Sequence, residues 1–121
     1  MANDPSSGVS SQLPHAEHAI VTKAKICEYL LSFGHPIGRF KAAFFDVLGY
    51  KIEHWERLQG DLLQLATTGT VVPGQKSSYG QKYEVRGTLV TPSGRIVNLV
   101  TVWIVLLGET YPQLVTAFPG D

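Results

Sequence analysis

The spacing of apolar residues along this chain changes once, close to Gly69. Before that point they recur every third or fourth residue, as on one face of a helix. Ile26, Tyr29, Leu30 and Phe33 follow this spacing, with Thr22 placed to cap the helix start and Gly34 to end it. A second helix opens at or just after Pro36, runs through GRFKAAFFDVL and stops at Gly49. A third covers roughly Glu53 to Thr67, with Trp55, Leu58, Leu62 and Leu65 or Ala66 as its apolar stripe and Gly69 as its stop. Ahead of all three, HAIV (His18 to Val21) has the composition of a short strand.

Beyond Gly69 the period becomes two. TVV reads as a strand entry, and the loop PGQKSS leads to YGQKYEVRGTLV. There Tyr79, Tyr83, Val85 and Leu89 share one face, and Lys82, Glu84, Arg86 and Thr88 share the other. Thr91 to Gly94 (TPSG) suits a type I turn, with proline second and glycine fourth. In the next strand, Ile96, Val100, Val102, Ile104 and Leu106 form the expected inward column, leaving Arg95, Thr101 and Trp103 outward. GET turns the chain again, and QLVTAF is the last strand. The expected class is α+β: N-terminal helices packed on one face of a three- to four-stranded antiparallel β-sheet meander, with the other face open.

Composition adjusts this picture in three places. The 121 residues, 44% hydrophobic, suffice for one core, so residues 13–121 are expected to form a single domain. Residues 1–12 read as a disordered tail, with neither the basic nor the apolar stretch of a signal peptide. The longest apolar run, Ile96 to Leu107, is shorter than the roughly 20 residues a membrane span requires. No membrane is therefore expected, and the cytoplasm is the default address. Ten basic against ten acidic residues speak against binding nucleic acid through bulk charge, but allow a local basic patch.

Lys41 is the most informative position. At 100° per residue it falls within the stripe of Ile37, Phe44, Phe45 and Leu48, whereas Arg39 and Asp46 take the solvated side. Such a lysine snorkels to an edge, pairs with a carboxylate or lines a cleft. Lys82 and Arg86 flank Glu84 on one strand face, either as a solvated ion-pair surface or as a phosphate anchor. Thr101 and Trp103 are expected beside them, Trp103 as a base-stacking surface or as a cover for the sheet. His35, before Pro36, can cap the backbone or carry a proton. The histidines lack metal-ligand spacing and Cys27 has no cysteine partner, so neither a metal site nor a cofactor is expected. GQKSSYGQK lacks the spacing of a phosphate-binding glycine loop.

Taken together, GHPIGRFKAAFFDVLGY, TGTVV and YGQKYEVRGTLVTPSGRIVNLVTVWIVLLGETYPQLVTAFP resemble a bacterial family described as a domain of unknown function. The resemblance runs from about Leu13 to Pro119. That family is similar in turn to the toxin nucleases grouped around barnase, EndoU, colicin and RelE, in which helices pack on an antiparallel sheet whose open face cleaves RNA without metal. The resemblance implies catalytic roles for Lys41, Arg86, Thr101, His35 and Tyr79. Arg86 would stabilise phosphate charge, and His35 or Tyr79 would transfer protons. It implies substrate contacts from Lys82, Trp103, Thr116 and Arg39. At Phe40 it leads one to expect a small polar residue or a histidine, so that position supplies no base. The implied partners are RNA and a small antitoxin or immunity protein covering the open face. A non-catalytic protein-binding module of the same fold, or an enzyme with another substrate, fits the residues as well.

Overall fold

The computed structural model describes residues 12–120. The expected tail lies, except for Gln12, outside the described residues. Three helices precede a four-stranded antiparallel meander, in the expected α+β arrangement. Helix α1 (Lys23–Lys25) runs on as a π-helical turn, Ile26–Leu30, and is followed by α2 (Arg39–Val47) and α3 (Trp55–Thr68). The strands are β1 (Thr70–Lys76), β2 (Gly80–Val90), β3 (Ile96–Leu106) and β4 (Gln113–Pro119), hydrogen-bonded in that order.

The helix signals are met locally. Thr22 Oγ1 accepts from the Lys25 amide at 3.1 Å, capping α1. Gly49 follows α2 at φ 93°, a left-handed conformation that favours glycine. Gly69 closes α3. The first helix departs from expectation: it does not run on to Gly34. The Leu31 amide reaches back five residues to the Ile26 carbonyl at 2.8 Å, which widens the last turn and ends it at Leu30. The expected strand at HAIV is reduced to one parallel bridge, Ile20 to Gln113. Strand β1 extends past TVV through Pro73 to Lys76. It is an edge strand, where a proline costs no ladder bond, and its register shifts after Pro73.

Helix α3 supplies Leu58, Leu62, Leu65 and Ala66 to a core shared with Val85, Leu89, Leu99, Trp103, Leu114 and Ala117 of the sheet. The inward face of β2 is as expected; that of β3 is the reverse. Thr101 and Trp103, expected on the open face, are both 0% exposed, and Val102, Ile104 and Leu106 look outward instead, with Val100 in the same column but only 2% exposed. The cause is the connection. The predicted turn is present, with Gly94 N donating to Thr91 O at 2.9 Å, but Thr91 then pairs with Arg95 rather than with Gly94. Gly94, at φ 89°, is the extra residue of a type I turn followed by a bulge. This sets Val90 opposite Ile96 and Val85 opposite Thr101. Cross-strand partners share a face, so a one-residue change in the connection moves every side chain of β3 to the other side.

Bulk favours the same outcome. Burying a tryptophan's ~200 Å² contributes roughly 5 kcal/mol at 25 cal/mol/Å², more than any single β-branched residue of the opposite column. The indole donor is also satisfied: Trp103 Nε1 donates to Thr101 Oγ1 at 2.7 Å, which donates to the Val85 carbonyl at 2.9 Å. Away from this pair, Tyr50 is buried and its hydroxyl donates to Asp61 at 2.6 Å, linking the end of α2 to α3.

Two outcomes follow for stability. Thr101→Val leaves the buried indole N–H without an acceptor and should cost about 1–3 kcal/mol in urea unfolding, whereas Thr88→Val on the outer face should cost within about 0.5 kcal/mol. Burial, then the hydrogen bond to Asp61, then the Asp61 charge raise the Tyr50 pKa well above its ordinary 10.0. A raised folded-state pKa stabilises fully below the unfolded value and fades as pH rises above it. Stability should therefore fall from about pH 10 upward, and Tyr50→Phe should flatten that alkaline fall when unfolding is followed between pH 9 and 12.

Candidate functional site at the edge of the open sheet face

The register brings the outer-face residues into rows across the strands. Lys82 pairs with Ile104, Glu84 with Val102, and Arg86 with Val100; Val102 continues to Thr116 and Val100 to Phe118. The result is a charged column on β2, an apolar column on β3 and a mixed column on β4. Arg86 Nη2 donates to Glu84 Oε1 at 3.0 Å, so the nearest carboxylate offsets part of its charge. Beyond it, Arg86, Thr88, Asn98, Val100 and Gly120 line a shallow depression of about 220 Å³.

Lys41 completes one of these rows. Its Nζ lies 5.6 Å from the centre of the Phe118 ring. The lysine in the apolar stripe of α2 has thus snorkelled to the β4 edge, where the ring face attracts it. The order across the sheet is Arg86, Val100, Phe118, Lys41. With strands about 4.8 Å apart, the two cations flank an apolar strip about 10 Å wide at the backbone.

The same edge is built from below by the π turn and the segment before α2. Tyr29 ends with its hydroxyl 3.1 Å from Thr116 Oγ1 and its ring edge-on to His35, centroids 5.1 Å apart. Lys25 Nζ sits 5.0 Å from the centre of the Tyr29 ring. Gly38 lets the two segments close, because a Cβ there would run into the Tyr29 carbonyl. His35 takes the capping role: its Nδ1 accepts from the amides of Ile37 at 3.0 Å and Gly38 at 2.8 Å. With Nδ1 an acceptor, the neutral ring carries its proton on Nε2.

Lys41, His35 and Thr116 therefore gather at one edge, and Arg86 stands across the face from them. The other expected residues do not join them. Tyr79, 76% exposed, lies in the β1–β2 connection. It is seven residues from Arg86, on the order of 20 Å along an extended strand. Lys82 lies on the outer face, four residues from Arg86, and Arg39 is exposed with its guanidinium 4.9 Å from the Phe40 ring centre. Thr101 and Trp103 are core residues and leave the candidate set. Tyr29 and Lys25 were missed, because at helical spacing Tyr29 reads as one more apolar-stripe residue; nothing in the local sequence signals the π turn. Among the described residues no three His, Cys, Asp or Glu side chains gather as metal ligands, and no helix is long and apolar enough to cross a membrane.

Comparison with known proteins places this architecture. None of the curated proteins matches the sequence closely enough to give a relative. Among solved structures, the chain is similar to one from a contact-dependent growth inhibition toxin–immunity protein complex of Klebsiella pneumoniae 342. The TM-score is 0.65 at 16% identity, over 84% of this chain and 99% of that one. At that identity the likeness is one of fold. A family model described as domain of unknown function (DUF6883) matches residues 12–121, and the chain belongs to that family.

Proposed function

We propose that this domain is a metal-independent endoribonuclease toxin of a bacterial toxin–immunity or toxin–antitoxin pair. The observation that carries the reading is the row Arg86, Val100, Phe118, Lys41: two cations at the borders of a sheet face whose half-buried Val102, Ile104 and Phe118 supply apolar surface, Val100 itself being only 2% exposed. The fold shared with a structure from a toxin–immunity complex supports the toxin context. Cationic groups flanking an apolar surface suit a single strand, whose phosphates follow charge while its bases lie on apolar side chains.

In this reaction the ribose 2′-oxygen attacks the adjacent phosphorus. The bond from phosphorus to the 5′-oxygen breaks, the 2′-hydroxyl gives its proton to solvent water and the 5′-oxygen takes one from solvent water, and a 2′,3′-cyclic phosphate and a free 5′-hydroxyl result. Lys41 and Arg86 stabilise the charge on the equatorial oxygens of the phosphorane. His35, its Nδ1 held by two amides, presents Nε2–H as a hydrogen-bond donor towards a phosphate oxygen. Thr116 contributes a hydroxyl at the same edge. The immunity partner would cover this face.

A second reading, a non-catalytic protein-binding module, is favoured by the outward, partly exposed Val102, Ile104 and Leu106. Incubating RNA with the purified domain in EDTA separates the two. The expected outcome is cleavage that persists in EDTA and falls about 10²- to 10³-fold in Lys41→Ala and Arg86→Ala, both folded by circular dichroism. Intact RNA with the wild-type domain would reject the nuclease and leave the binding module.

A further inference from the structure

The three ion pairs of the described residues are Lys51–Asp46, Arg57–Asp61 and Arg86–Glu84. Lys25 and Lys41 belong to none of them. Each is held against an aromatic ring instead, Tyr29 and Phe118 respectively. A ring face fixes an ammonium group without cancelling its charge, because the ring has a quadrupole but no net charge. Among the described residues neither ammonium group at the α2–β4 edge has an ion-pair partner, in a chain whose formal net charge is zero.

Neutral donors collect at the same place. The Tyr29 and Thr116 hydroxyls are 3.1 Å apart. In such a pair one hydroxyl donates to the other, and the second hydrogen remains to be given elsewhere. His35 stacks edge-on against Tyr29, with Nε2 as its remaining ring donor. Two ammonium groups, a hydroxyl hydrogen and an imidazole N–H, none paired with a carboxylate among the described residues, form a set that recognises a multidentate oxyanion. Thr116 and Phe118 alternate with buried Ala117 on β4, so they project from one side of the strand, about 7 Å apart. The hydroxyl pair and Lys41 thus approach the same region from two neighbouring positions.

The π turn creates this geometry. Its extra residue per turn displaces Tyr29 from the position an α-helix would give it, and such turns are frequent at functional sites. Gly38, packed on the Tyr29 carbonyl, then brings the His35 segment against the displaced ring.

We infer that Tyr29 and Thr116, with Lys25 and Lys41 on either side, bind one phosphodiester group of a single-stranded nucleic acid. This rests on the proposed function for the identity of the strand and deepens it by naming where a phosphate sits. Arg86, whose charge Glu84 partly offsets, attends to the strand farther across the face.

The test uses the folded domain and a fluorescein-labelled all-2′-deoxy hexanucleotide, which cannot undergo 2′-oxygen attack, with binding followed by fluorescence polarisation. Tyr29→Phe keeps the ring contacts to His35 and Lys25 and removes only the hydroxyl; it should weaken binding about tenfold. Thr116→Val should do the same, and Thr116→Ser should restore wild-type affinity. Lys25→Met and Lys41→Met should each reduce the slope of log K against log salt by about 0.7. Thr67→Val, on the exposed side of α3, should leave affinity unchanged. Wild-type affinity in Tyr29→Phe and Thr116→Val, or no binding by the wild type, would overturn the inference. If RNA is cleaved but these variants bind normally, the site is wrong and the nuclease reading stands. If the variants lose binding and RNA stays intact, the phosphate site stands and the nuclease reading falls.

Discussion

Gly94 turns the chain between β2 and β3 at a φ of 89°, adding one residue to an otherwise ordinary type I turn, and the composition of both sheet faces depends on that residue. With Thr91 paired to Arg95, Val85 stands opposite Thr101 and Tyr83 opposite Trp103. The tryptophan enters the core under the helices, where Thr101 accepts its N–H and passes the bond on to the Val85 carbonyl. The β-branched column Val100, Val102, Ile104 is turned outward by the same register. A connection one residue shorter would expose Thr101 and Trp103 and bury the β-branched column. The candidate site would then have an indole at its centre instead of an apolar strip between two cations.

Most of the architecture is legible in the sequence because it is decided locally. Thr22, Gly49 and Gly69 mark helix ends through capping and positive-φ rules that need no tertiary partner, and the change of period near Gly69 separates the helical half from the sheet. Two features escape this reading. Both columns of β3 are apolar, so alternation alone cannot say which is buried; the deciding information lies in the parity of the preceding connection. The π turn is the second. Its bond from the Leu31 amide to the Ile26 carbonyl goes with the close packing of Tyr29 against Gly38, a contact that composition does not encode. Lys41 lies between these cases: its position in the apolar stripe required some unusual accommodation, and the structure supplies it as a snorkel to Phe118.

Zero net charge is compatible with the proposed phosphate-binding site when charge is arranged in this way. Carboxylates are paired with Lys51 and Arg57 on the helical side and with Arg86 on β2, while Lys25 and Lys41 rest on aromatic rings at the β4 edge. An ion pair lowers the local potential as it holds a side chain in place. A cation–π contact holds it and leaves the potential intact. The field at that edge can then be positive while the far field of the whole domain is near neutral, since charges beyond about 8–10 Å are screened at physiological salt. Such a site favours short-range capture of a phosphate over long-range steering.

The most direct measurement is a crystal structure of the domain with a short RNA carrying a 2′-deoxy substitution at the scissile position. The predicted result is a phosphate within hydrogen-bonding distance of the Tyr29 or Thr116 hydroxyl and of Lys41 Nζ, with the strand continuing over Phe118 and Val102 towards Arg86. A strand bound along α3 and β1, or a phosphate held by Lys82 and Tyr79 at the other end of the sheet, would contradict it.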